Sequence, residues 1–206
     1  MKIVLLNILS LSIMESSFVC NEFVLKPQSA WPACAAVLPT VGVKVWLASE
    51  HLMVRWDVLE TEQTYRCVVD TDGGPCWQDS CVEAFIKAQD GSSDYFNFEF
   101  NSAGFCLAAR GPNRHERSPI SQAMYSLISR KIQLASTNVN GLLTYHWNLE
   151  VSLPLSFFGR NLTSSLLQGN FYKCGDKTHA PHWLSAFPIR TPKPDFHRPE
   201  YFQNLP

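Results

Sequence analysis

Several separate stretches of this chain alternate apolar and polar residues with a period of two, the signature of half-buried strands. In His51 to Val58, Leu52, Val54, Trp56 and Val58 alternate with His51, Met53, Arg55 and Asp57. In Tyr95 to Asn101, Phe96, Phe98 and Phe100 take one face, leaving Tyr95, Asn97, Glu99 and Asn101 on the other. Tyr145 to Leu153 repeats the pattern, and Cys81 to Lys87 and Gly169 to Cys174 are shorter examples. Asp72-Gly73-Gly74-Pro75, Asp90-Gly91-Ser92-Ser93, Gly111-Pro112-Asn113 and Asn140-Gly141 supply turn chemistry between them. Short strands punctuated in this way describe an all-β antiparallel sandwich.

Composition agrees. The 13 Phe, 6 Tyr, 6 Trp and 13 Pro favour strands and loops over long helices. Helical spacing occurs in Pro119 to Arg130, through Ile120, Ala123, Met124, Leu127 and Ile128, but alternation resumes at Ile128, Arg130, Ile132 and Leu134. The expectation there is one helical turn followed by a strand. With 206 residues, 46% of them hydrophobic, the chain can bury one core, and it is read as one domain over residues 1–206.

The 17 basic and 18 acidic side chains leave a net charge of −1, which excludes a basic nucleic-acid platform. No stretch is long and apolar enough for a membrane span. Residues 1–30 are read as a first strand or a leader. Lys2 precedes an apolar run, as in a secretory leader, but Asn7 interrupts the run, and Glu15, Phe18 and Val19 spoil a cleavage signature. An uncleaved strand is favoured. The 7 cysteines make neither a metal ribbon nor a complete disulfide framework, so most of them read as buried thiols in a reducing compartment. A cytoplasmic location follows, with export as the alternative. From His179 to Pro206, prolines at 181, 188, 192, 194, 199 and 206 predict a long loop or an extended edge, and Trp183, Phe187, Phe196, Tyr201 and Phe202 predict that it is ordered.

The densest chemistry lies in Gly74 to Glu83, where a turn carrying Trp77 passes directly into a strand. A flat indole at a turn can take the apolar face of a sugar ring or a base. Glu83, Asn97 and Glu99 occupy outward positions on their strands and form one polar patch if those strands are neighbours. Carboxylates and amides of this kind suit a polyhydroxylated ligand.

Taken in order, Trp77 to Phe85, Tyr95 to Asn101 followed by Gly104, Leu149 to Leu155, Asn170 to Asp176, and Pro194 to Phe202 resemble the family 9 carbohydrate-binding modules, over residues 31–205. The closest resemblance is to the stand-alone family 9-like proteins of gut bacteria. It implies an antiparallel β-sandwich of jelly-roll type that binds carbohydrate. It further implies two aromatic rings clamping a terminal sugar, with acidic and amide or guanidinium groups holding the hydroxyls. Carried over, Trp77 is the first ring, Phe196 the second, and Glu83, Asn97 and Glu99 the polar contacts. The xylanase-attached modules have Trp in place of Phe196 and Arg in place of Asn97. They also bind calcium, for which Asp70, Asp72 and Asp79 are the acids available, although no oxygen-rich ligand loop is matched and no cofactor is expected.

Two enzymatic readings stand beside binding. Glu83, Glu99 and Glu150 could supply the paired carboxyls of a glycoside hydrolase. His179 and His182 have metal-ligand spacing with Asp176 nearby, though such a pair in a loop is usually structural. A third possibility is an interaction domain that keeps the fold and has lost sugar binding.

Overall fold

A computed structural model describes residues 20–28, 31, 38–159 and 166–205. Of the reading of residues 1–30, residues 1–19 lie outside the described residues, while Cys20–Val24 is a strand. Strands β1 (Cys20–Val24), β3 (Thr40–Ala48), β4 (His51–Thr61), β9 (Ser129–Val139) and β10 (Leu142–Pro154) form one antiparallel sheet in the order β1-β3-β4-β10-β9. The larger sheet runs β2 (Lys26–Pro27), β12 (Trp183–Ser185), β11 (Leu167–Cys174), β5 (Cys81–Ala88), β6 (Tyr95–Asn101), β7 (Cys106–Gly111), β8 (Ser118–Pro119). A short β13 (Gln203–Asn204) also pairs with β11. This is the expected antiparallel sandwich.

The alternating segments become strands for the expected reason. Leu52, Val54, Trp56 and Val58 of β4 and Trp147, Leu149, Val151 and Leu153 of β10 meet Val82, Ala84, Ile86, Phe96, Phe98, Phe100 and Phe171 of the larger sheet in one apolar layer. The segment after Pro119 is helix α1 (Gln122–Leu127), whose cap Ser121 accepts from the Met124 amide, and then β9. Asn140 and Gly141, at φ of 53° and 86°, join β9 to β10 with the positive φ that a tight hairpin turn needs.

The far face of the larger sheet departs from the sequence expectation. All of β6 is buried, including Asn97, Glu99 and Asn101, which alternation placed outward. A second layer covers that face: Trp31, Ile189, Phe196 and Phe202 pack on Phe85, Tyr95 and Tyr172. The proline-rich C-terminal segment therefore acts as a third layer, and the strands beneath it are buried on both sides.

Between the sheets lies a charged pair. Lys173 Nζ of β11 stands 3.3 Å from Glu60 Oε2 of β4, with both side chains fully enclosed. Glu60 Oε1 accepts from Ser80 and, at 2.7 Å, from Trp147 Nε1. Lys173 also donates to His182 Nε2 at 2.9 Å and to the Cys174 carbonyl at 3.0 Å. Burial and the neighbouring lysine push the His182 pKa down to about 2, so its ring is a neutral acceptor. Removing one partner of a buried pair leaves an uncompensated charge. Lys173→Met is expected to lower unfolding free energy by about 3–5 kcal/mol, read by denaturant titration.

Candidate functional site

Side chains on the far face of β5 and β6 that the C-terminal layer leaves uncovered form the floor of a cleft of about 710 Å³. Trp77, Glu83, Glu99, Cys174, Asp176 and Trp183 line it from the sheet side, and Arg114, Arg117, Lys193, Phe196 and His197 from the loops. Glu83 and Glu99 are directly opposed in the β5–β6 register.

Trp77 sits on a 3-10 turn, Cys76–Gln78, locked against the turn after β11. Its carbonyl accepts from the Asp176 amide at 3.2 Å, and the Gln78 carbonyl accepts from Lys177 at 3.1 Å. The backbone is held while the side chain stays 36% exposed, which leaves the indole available at the cleft.

Phe196 is placed differently from the open clamp ring expected of it. It reaches the cleft wall but is 7% exposed, stacked on Tyr172 with ring centroids 4.1 Å apart and planes at 6°, and Trp31 packs 5.8 Å away. One face is therefore committed to the protein. The half-buried indole of Trp183 lines the same cleft, with its Nε1 donating to Asp176 Oδ1 at 2.8 Å. The sequence offered Trp183 only as one aromatic of a loop; what places it here is the pairing of β12 with Tyr172–Cys174, for which the sequence carries no local signal.

Asn97 is wholly buried and does not line the cleft. Its Nδ2 donates to Glu99 Oε1 at 2.9 Å, which makes it a positioning residue for that carboxyl. Glu99 Oε2 and Asn97 Oδ1 are buried without a hydrogen-bond partner. Sequence reasoning also missed the guanidinium. Arg117 comes from the loop before β8, donates to His197 at 2.6 Å, and lowers the pKa of both Glu83 and Glu99 by its charge. The Tyr95 hydroxyl lies 2.7 Å from the other ring nitrogen, and burial with Arg117 pushes the His197 pKa down to about 2.

Other acids named from the sequence lie elsewhere. Glu150 is on the smaller sheet, beside Lys131. Asp79 is saturated by donors, from Arg66, the Val68 and Val69 amides and Asn101, while Arg130 grips Asp72 through both oxygens at 2.6 and 2.8 Å. Asp70 is exposed. These three do not assemble a calcium loop. His182 is bound to Lys173 and the Ala180 carbonyl and His179 is exposed, so that pair offers no metal site with Asp176.

Burial is the main cause raising both floor carboxyls, pushing Glu99 up to about 7 and Glu83 well above the usual range. A carboxyl that holds its proton more tightly folded than unfolded stabilises the folded chain at low pH, and that stability is lost as pH rises through the folded value. Thermal midpoints are thus expected to fall between pH 4.5 and 7, and to fall less steeply in Glu99→Gln.

A model of carbohydrate-binding family 9 matches residues 20–206. A crystal structure from Bacteroides uniformis ATCC 8492, of a protein proposed to bind carbohydrate, shares 31% identity, covers 88% of this chain and 84% of that chain, and superposes with a TM-score of 0.74. A family 9 carbohydrate-binding module of Caldicellulosiruptor kristjanssonii, solved with cellotriose, shares 12% identity over 81% of this chain and 72% of that one, with a TM-score of 0.46. No curated protein matches.

Proposed function

The chain belongs to carbohydrate-binding family 9, and from that premise we propose that its cleft holds the end of a mono- or oligosaccharide. The observation that carries this reading is the unpartnered Glu99 Oε2 beside a half-exposed indole in one cleft. A buried oxygen without a donor carries a desolvation cost of about 1–3 kcal/mol, which a ligand hydroxyl would relieve. A sugar presents such hydroxyls around the edge of a ring whose faces are apolar, so it can stack and donate together.

Roles follow from placement. Trp77 and Trp183 supply stacking area, and Phe196 backs the wall through its stack on Tyr172. Glu83 and Glu99 accept hydroxyls, Asn97 orients Glu99, and Arg117 supplies a donor in place of an arginine at position 97. Such a division of apolar area and a few placed polar groups is usual in small-ligand sites.

Glycoside hydrolysis is the second reading, favoured by the adjacency of Glu83 and Glu99. As register partners on one sheet face, they present themselves to the same side of a bound ring. A hydrolase needs a donor and a nucleophile or base arranged about the scissile bond. Binding without turnover is the better fit, and conversion of an aryl glycoside that is abolished by Glu83→Gln would reverse that preference.

Calorimetry with glucose, cellobiose and xylobiose tests the binding reading. Trp77→Ala is expected to weaken the best ligand at least about tenfold, equivalent to roughly 1.4 kcal/mol, without loss of fold by circular dichroism. Affinity unchanged by the substitution would discard the cleft as the saccharide site.

A further inference from the structure

Cys81 and Cys174 stand directly opposite each other on β5 and β11. Glu83 follows two residues along β5, on the same face. Their ligand atoms, two Sγ and one carboxyl oxygen, all lie within 4.8 Å of one another, and Cys174 Sγ donates to Glu83 Oε1 at 3.0 Å. All three residues are buried. The other buried thiols are differently placed. Cys106 belongs to the apolar core, and Cys76 Sγ donates to the Phe105 carbonyl at 3.3 Å.

From this juxtaposition we propose that Cys81, Cys174 and Glu83 form a binding site for a thiophilic divalent cation, of which zinc is the type. Zinc takes thiolate sulfur at about 2.3 Å and carboxylate oxygen at about 2.0–2.2 Å in a tetrahedron, whose sulfur–sulfur edge is then about 3.8 Å. Three donors already this close need only small side-chain movements. The pairing of soft sulfur with one carboxylate selects against calcium and magnesium, which want oxygen alone.

Charge balance is explicit. Each thiol loses a proton to form a metal–sulfur bond, and Glu83 binds as the carboxylate, giving up whatever proton its carboxyl carries as the metal–oxygen bond forms. Two thiolates and one carboxylate around a dication leave one negative charge, and Arg117 is the cation whose field reaches Glu83. Glu83 and Cys174 both line the cleft, which gives released protons an exit. The site shares Glu83 and the cleft floor with the saccharide reading but none of its ligands requires a sugar ring, so metal uptake is tested without sugar present.

The test uses the full chain, stripped with a chelator and kept reduced by a phosphine, and titrated with Zn²⁺ by calorimetry and with Co²⁺ by optical absorption. One equivalent is expected to bind, with proton release and with the intense sulfur-to-cobalt band of a tetrahedral thiolate site. Changes to the groups around metal ligands already cost 10–100-fold in affinity, so loss of a ligand in Cys81→Ser or Cys174→Ser should weaken Zn²⁺ by at least about 100-fold. Cys106→Ser should bind as the parent does, with circular dichroism showing that each variant folds. Absence of stoichiometric uptake, a cobalt spectrum without the sulfur band, or uptake indifferent to Cys81→Ser and Cys174→Ser would overturn the proposal. A failure of sugar binding would leave these readings unchanged.

Discussion

The packing of the C-terminal segment onto the far face of the larger sheet is the constraint on which the site depends. It includes the parallel stack of Phe196 on Tyr172, supported by Trp31, whose Nε1 donates to the Thr191 carbonyl at 3.0 Å, and by Phe202 set edge-on to Tyr95. Aromatic contacts of this kind bury a large apolar area and add geometric preference. Because the cover stops short of Glu83, Glu99 and Cys174, those side chains become the floor of a cleft.

That partial cover also sets the electrostatics. Carboxyls on an open sheet face would titrate near their ordinary values, whereas here burial raises both. Arg117 works in the opposite direction on each, and its hydrogen bonds to a neutral His197 leave its charge available. A second polar cluster, Glu60 with Lys173, lies on the inner side of the same strand that carries Cys174. Consecutive residues of β11 therefore serve the core and the cleft in turn.

Much of the fold was legible in the sequence because alternation depends on neighbours two residues apart. Tyr95 to Asn101 became a strand with those bounds, and Asn140-Gly141 became the hairpin turn between β9 and β10. The same alternation misplaced the far side of β6, since period two separates faces without saying whether a distant segment will cover the second one. Within the candidate site, Trp77, Glu83 and Glu99 were named and do line one cleft. Asn97 was named but stands behind Glu99, while Trp183 and Arg117 came from the strand and loop that only folding brings alongside.

The sequence by itself determined the strongly alternating strands, several of their turns, the apolar layer between two sheets and the family, because each of these is written in residues close together along the chain. Only the tertiary structure decided which aromatic faces stay open, which acids share a floor and which thiols meet a carboxylate. Those outcomes depend on contacts across the sheet, such as Cys81 with Cys174 and Phe196 with Tyr172, where pairing register and packing, rather than local spacing, select the partner.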